Sequence, residues 1–292
     1  MRENPLHYLR RVWDRDDPDW VSAIDELPLW SAPFGLALLD TVAYRPNLKV
    51  LDIGSGLGFP ALELAQRLGP GSEVYALDPW EAASHRLTFK FRQMGLTNVT
   101  VVKDTAETMP FADARFDLIT SNNGLNNVQD IETAWRQCHR VAKPGAQMVV
   151  TENLPESMVE FYDCLRQVYL DMGLDAAIPR IAEQIRSKRK PLDWTLALIR
   201  RTGFEVVECR RQEFSLRFAS GTAMLNYFLI QIGFLDGWKT IVPEPEHGRV
   251  FAQVENRLNE LADRQGQLRL TIPFVCIDCH KPQSGREPRF DP

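Results

Sequence analysis

The sequence predicts an α/β fold, a doubly wound and mostly parallel seven-stranded sheet that carries helical insertions. Three observations predict it. Short apolar runs that read as strands alternate with stretches of helical spacing through the first half of the chain, a glycine-rich turn follows the first of those strands at once, and acids or amides stand at the strand ends.

The first strand is Val50, Leu51 and Ile53 within Lys49-Val-Leu-Asp-Ile-Gly-Ser-Gly-Leu-Gly58. Its glycines let backbone press against a ligand, and a helix is expected from Leu57, with Ala61, Leu64, Ala65 and Leu68 on one face and Pro60 in the first turn. Gly54, Gly56 and Gly58 make G-x-G-x-G, which departs from the dinucleotide fingerprint G-x-G-x-x-G. Asp52 would repel a pyrophosphate but can hold an ammonium group, so the ligand expected is nucleoside-like, cationic and without phosphate. The second strand, Val74 to Leu77, delivers Asp78, whose carboxylate is placed to accept hydrogen bonds from both hydroxyls of a ribose.

A helix follows on Ala83, Leu87, Phe91 and Met94 and ends at Gly95. Val99 to Val102 is the third strand, ending near Asp104, an acid that also suits a turn or a helix cap. Phe116 to Thr120 is the fourth, and Ser121-Asn-Asn-Gly-Leu-Asn-Asn127 is the loop at its end. Each asparagine alone is an ordinary turn residue, whereas four together can present donors and acceptors without charge. A helix from Val128, with Ile131, Trp135, Cys138 and Val141 on its stripe, stops at Lys143-Pro-Gly145, and Met148 to Thr151 is the fifth strand, leading to Glu152.

Beyond Asn153 the pattern turns helical. Met158, Tyr162, Leu165, Tyr169 and Met172 trace one helix and 175–190 a second. The sheet resumes with a helix over 192–202 and a strand over 204–207, prolonged by Phe214, Leu216 and Phe218. A second helical insertion spans 221–266, and Leu268, Leu270 and Ile272 alternate as the last strand. The nearly continuous apolar run Leu225 to Leu235 reads as part of a cap, as a packed core helix or as a dimer interface.

Five stretches of this pattern resemble the class I S-adenosylmethionine (SAM) dependent methyltransferases, in particular the type 11 group that includes the ubiquinone and menaquinone biosynthesis enzymes. They are V-L-D-I-G-S-G-L-G (50–58), A-L-D-P (76–79), D-T-A-E-T-M-P-F (104–111), F-D-L-I-T-S-N-N (116–123) and K-P-G-A (143–146), in the family's order. The resemblance implies a Rossmann-like core with SAM as cofactor and S-adenosylhomocysteine as product. It implies that Gly54, Ser55 and Gly56 pass the methionine part with Asp52 nearby, that Asp78 binds the ribose and that Pro79 packs on adenine. By the same resemblance Asp104 and Thr105 meet the base edge, and Asn122 and Asn123 border the sulfur. Trp30, Phe34, Asn126 and Asn127 are expected to line the acceptor side. Trp30 and Phe34 suit a cation-π contact with a sulfonium, and equally a core plug for the stretch Leu29 to Phe34. Many relatives carry a histidine near Asn126 or Asn127; this chain does not, so no catalytic base is assigned.

The organisation expected is a helical segment over 1–45 forming part of a cap, a SAM-binding core over 46–152, a cap insertion over 153–190, more core over 191–218, a second cap insertion over 219–267, and a last strand with a tail over 268–292. At 292 residues, with 44% hydrophobic and 25% charged residues, a sizeable core is available. A net charge of -5 gives no electrostatic footprint for nucleic acid, which disfavours RNA as the methyl acceptor. DNA amino-methylation lacks its N/D-P-P-Y signature where Ser121-Asn-Asn-Gly124 stands. No stretch reads as a secretory signal or a membrane span, and five scattered cysteines fit a reducing compartment, so a cytoplasmic location is expected. Cys276-Ile-Asp-Cys279-His280 matches a haem-attachment signature but lacks an export signal and a second zinc half-site, so no metal is expected. The function expected is methyl transfer to oxygen, nitrogen or carbon of a small, partly apolar molecule. Methylation of RNA or protein, and SAM binding by a regulatory protein without turnover, are the alternatives. A homodimer is one option for the assembly.

Overall fold

The computed structural model of the protein describes residues 6–25 and 30–283; Leu29 and the end of the tail fall outside it. The chain divides into two compact units. A core unit takes residues 15–152, 192–212 and those from 274, and a helical unit takes those up to 14, 153–191 and 213–273.

The seven strands are β1 (Lys49–Ile53), β2 (Glu73–Leu77), β3 (Val99–Val102), β4 (Phe116–Asn122), β5 (Ala142–Asn153), β6 (Glu205–Phe218) and β7 (Leu268–His280), arranged β3-β2-β1-β4-β5-β7-β6. β1 runs parallel to β2 and to β4, β2 to β3, and β4 to β5. β7 runs the other way. Gly145 N–H donates to Lys281 O (2.8 Å) near the start of β5 and Leu154 N–H to Pro273 O (2.9 Å) at its end, so one strand climbs as the other descends. The sheet is therefore mixed, parallel across β3-β2-β1-β4-β5 and antiparallel where β7 joins β5. β5 finds its neighbour in a strand that arrives after a long helical excursion, and strand spacing alone carries no direction.

Chain order reverses at β1, whose neighbours are β2 on one side and β4 on the other. That is the switch point over which ligands lie in open α/β sheets, outside the carboxyl ends of the strands.

The helices of the core unit are α1 (Pro18–Asp25), α2 (Ser31–Thr41), α3 (Ala61–Arg67), α4 (Glu81–Gln93) and α5 (Ile131–Val141), with α8 (Leu192–Arg201) later in the chain. α3 opens at Ala61 and not at Leu57, because residues 54–60 form the turn after β1 and Pro60 takes the cap position. α5 opens at Ile131 and not at Val128. Asp130 caps it, accepting from Thr133 N–H at 3.0 Å, while Glu107 Oε1 accepts from Gln129 N–H (2.9 Å) and Asp130 N–H (3.1 Å) and keeps those residues outside the helix. Val50, Leu51, Leu64, Val74, Ala76, Leu118, Ile119, Trp135 and Val149 are fully or almost fully buried.

The helical unit holds α6 (Val159–Asp171), α7 (Ile178–Lys188), α9 (Gly221–Leu225), α10 (Phe228–Ile230), a π-helical turn (Gln231–Leu235), α11 (Asp236–Ile241) and α12 (His247–Gln265). Its centre is a stacked pair, Phe161 on Trp238, with ring centroids 3.6 Å apart and both side chains fully buried. Val250, Val254 and Leu258 of α12 are fully buried, as their helical spacing requires. Among the described residues no helix is long and apolar enough to cross a membrane.

Candidate active site

The turn after β1 is held by its neighbour strand and by one side chain. Leu77 O at the end of β2 accepts from both Gly54 N–H (2.9 Å) and Ser55 N–H (3.1 Å), and Asp78 Oδ2 accepts from Gly56 N–H (2.8 Å). Asp78 Oδ1 accepts from Trp80 N–H (2.8 Å). Two main-chain donors thus fix the plane of this carboxylate, while each oxygen keeps a lone pair for a further donor. Gly54 has φ +70°, and a Cβ there would stand 2.6 Å from Gly124 Cα, so the turns after β1 and β4 touch backbone to backbone. At Gly56, with φ +47°, a Cβ would meet nothing within 4 Å. The turn is tight underneath and open above, the shape of a ligand cradle.

Asp52 lies fully buried beneath that cradle. Thr120 Oγ1 donates to its Oδ1 at 2.7 Å, and Oδ2 has no formed hydrogen bond. Burial pushes the carboxyl up to about 7; the Thr120 bond pulls it back, the nearby charge of Asp78 pushes it further, and the Ala61 N–H opposes weakly. The Ser55 hydroxyl is also buried without a partner. Two buried polar atoms without a formed hydrogen bond thus stand beside the glycine turn.

At the end of β3, Asp104 Oδ1 accepts from Thr105 N–H (2.8 Å) and Thr108 Oγ1 (2.6 Å), closing its own turn, and Thr105 is exposed. Pro79 is exposed. β4 runs two residues beyond the expected Thr120, and Asn122 is tied into the sheet. Its Nδ2 donates to Ser31 O (3.1 Å) and its Oδ1 accepts from Thr151 Oγ1 (2.9 Å). Asn123 has φ +57°, and its Oδ1 accepts from Asn126 Nδ2 (2.9 Å) while its carbonyl accepts from Asn127 Nδ2 (3.0 Å). The asparagines therefore brace one another around the turn. Phe34 is fully buried, with Trp30 at 5.3 Å and Phe274 at 4.8 Å between ring centroids. Asp52, the glycine turn and Asp78 come together at the switch point, with the asparagine turn joined to them through Gly54 and Gly124.

The family profile described as "Methyltransferase domain" matches residues 51–150. Those residues are a methyltransferase domain. The five motifs that resemble class I, SAM-dependent methyltransferases of type 11 lie on that same stretch. A ubiquinone/menaquinone biosynthesis C-methyltransferase from Shewanella sp. (strain W3-18-1) is 32% identical over 158 residues, a match covering 53% of this chain and 61% of the relative. The corresponding protein of Shewanella frigidimarina is 31% identical over 164 residues, covering 56% of this chain and 63% of the relative. The chain thus spans under two thirds of the length of these curated relatives. Among solved structures, the Bacillus YcgJ protein (TM-score 0.56, 19% identity, 87% of this chain and 99% of that one) and a putative methyltransferase from Bacillus halodurans (0.56, 18%, 85% and 99%) share the fold. So does the [4+2]-cyclase SpnF (0.53, 17%, 87% and 81%), which shows that the fold alone does not fix the reaction.

Four parts of the methyltransferase domain and its edge escape sequence reasoning. Thr120 holds Asp52 from 68 residues away, Ser121 Oγ donates to Ile53 O (3.0 Å), and Gly124 gives Gly54 its room. Alternation along β4 marks none of these pairings. The fourth is Glu152 near the carboxyl end of β5, which is buried, accepts from Thr195 Oγ1 (3.1 Å) through Oε2, and has Oε1 without a partner. A carboxylate at a strand end inside an apolar run was its only signal.

Proposed function

We propose that this chain is a SAM-dependent methyltransferase acting on oxygen, nitrogen or carbon of a small, partly apolar molecule. The observation that carries the reading is Asp78, braced by Gly56 N–H and Trp80 N–H beside an open glycine turn at the switch point of the sheet. The donor set fits the cofactor. Asp78 offers acceptors to two ribose hydroxyls, Asp52 Oδ2 and Ser55 Oγ are buried polar atoms without partners beside the seat for the methionine part, and Gly54 and Gly56 let main chain approach it. When bound, SAM supplies a methyl group on a sulfonium that departs as a neutral thioether. Pro79 is assigned to the adenine face, Asp104 and Thr105 to the base edge, Asn122 and Asn123 to the sulfur side, and Trp30, Phe34, Asn126 and Asn127 to the acceptor side.

The protein's remaining tasks are alignment and exclusion of water, for which no fixed catalytic base is compulsory. The insertions of the helical unit are assigned to acceptor recognition. The relatives named for C-methylation in quinone biosynthesis favour carbon as the acceptor atom and a quinone precursor as the acceptor class. Incubation of the full chain with methyl-labelled SAM and a metabolite extract tests the reading. Label in the small-molecule fraction is expected; label confined to RNA or protein supports the macromolecular alternatives, and SAM binding without any transfer supports the regulatory one.

A further inference from the structure

We infer that Glu152 is the acceptor-binding carboxyl of the site, and that the methyl acceptor presents an O–H or N–H to its Oε1. This rests on the methyltransferase reading and narrows its substrate class to molecules with a hydrogen-bond donor close to the methylated atom.

Three observations on the core unit carry the assignment. The first is place: Asn122 of β4 pairs in register with Thr151, Thr151 Oγ1 donates to Asn122 Oδ1, and Asn123 N–H donates to Thr151 O (3.1 Å), so Glu152 follows directly on the residue that ties the β4 and β5 ends together. It stands at the carboxyl ends of the strands, where ligands of such sheets lie. The second is burial without satisfaction. Glu152 is 7% exposed, Thr195 of α8 is fully buried and gives it one hydrogen bond, and Oε1 has none. A buried carboxyl oxygen without a donor costs the fold free energy, and such an atom calls for a ligand or a functional reason. The third is that, among the described residues, Glu152 forms a hydrogen bond with Thr195 and no ion pair with a cation. A neighbouring titratable group is the Cys209 thiol of β6, which burial and then the charge of Glu152 push up, against the pull of Arg200. Burial raises the Glu152 carboxyl itself to about 7, against the pull of Thr195, which suits a group that gains a donor only when a second molecule arrives.

The test uses the full chain saturated with S-adenosylhomocysteine and two probes built on the same 1,4-dioxygenated ring, hydroquinone and 1,4-dimethoxybenzene, in which methyl groups replace the O–H hydrogens; Glu152→Gln separates the loss of the donor from the added bulk. Wild-type protein is expected to bind hydroquinone about tenfold more tightly, the scale of one hydrogen bond to a charged group. In Glu152→Gln, whose amide turns an N–H where Oε1 was, the preference falls below about twofold. Affinity for S-adenosylhomocysteine stays within about twofold of wild type. Thermal unfolding of Glu152→Leu supplies a second readout: a midpoint equal to or above wild type fits a carboxyl retained for binding, whereas a lower midpoint together with an unchanged preference in Glu152→Gln makes it a structural residue. Equal binding of the two probes to wild type, or no binding of either, overturns the inference. Failure of S-adenosylhomocysteine to bind wild type instead overturns the methyltransferase reading beneath it.

Discussion

Gly54 and Asp52 show what single residues decide. Gly54 carries φ +70° and meets Gly124 Cα where a Cβ would be, so Gly54→Ala strains the backbone and pushes the two turns apart. A loss of about 1–3 kcal/mol in urea unfolding is expected, together with loss of S-adenosylhomocysteine binding. Asp52 carries the pH dependence. Its carboxyl is raised to about 7, and a ligand ammonium beside it favours the ionised form, so affinity for S-adenosylhomocysteine should fall as the pH drops below about 7, approaching tenfold per pH unit. Asp52→Asn should bind more weakly at pH 8 and show no such slope; calorimetric titrations from pH 5.5 to 8 read both. Asp52, the glycines and Asp78 were legible because they belong to a contiguous strand-turn pattern and to the end of the next strand. Thr120 and Gly124 were not, since each matters through a partner about 70 residues away, and a sequence pattern records neighbours along the chain, not across the sheet.

At the scale of elements, the strands beneath the site were the easiest to read. β1, β2 and β3 lie within a residue of their expected limits because each is a short apolar run bounded by polar or glycine residues. Helix starts were harder. The apolar stripe of α5 was visible, but its first residue is set by the Asp130 cap and by Glu107, which arrives from the loop after β3. β7 extends through Cys276 and Cys279 to His280, so those residues belong to a strand. Cys276 Sγ donates to Ala37 O (3.6 Å) and Cys279 Sγ to Met148 O (3.4 Å), contacts that the C-x-x-C-H spacing does not announce. In the helical unit the Phe161 and Trp238 stack fills the centre, so Trp238→Ala removes a large buried side chain and leaves a cavity. A loss of about 3–5 kcal/mol in denaturant unfolding is expected, against less than about 0.5 kcal/mol for Val12→Ala, whose side chain is 93% exposed.

For the whole molecule, sequence reading reached the five parallel strands β1 to β5, the glycine turn and the cofactor class, because these are written into one stretch of about a hundred residues that the methyltransferase profile largely matches, whereas β6 and β7 lie outside it. The residues that would choose an acceptor were less legible. The helices of the helical unit lie outside that stretch, and their apolar positions report packing, as the buried faces of α6 and α12 show; packing says little about which molecule is recognised. The central claim is that strand-end acids and a glycine bend form a seat for an adenosyl thioether with an amino-acid tail. Calorimetric titration of S-adenosylhomocysteine into the full chain and into Asp78→Ala tests it most directly. The account predicts saturable binding to wild type and a loss of about a hundredfold or more in the variant, the scale of two charge-assisted hydrogen bonds with their bracing turn. No binding to wild type, or equal affinity in the two proteins, would contradict it.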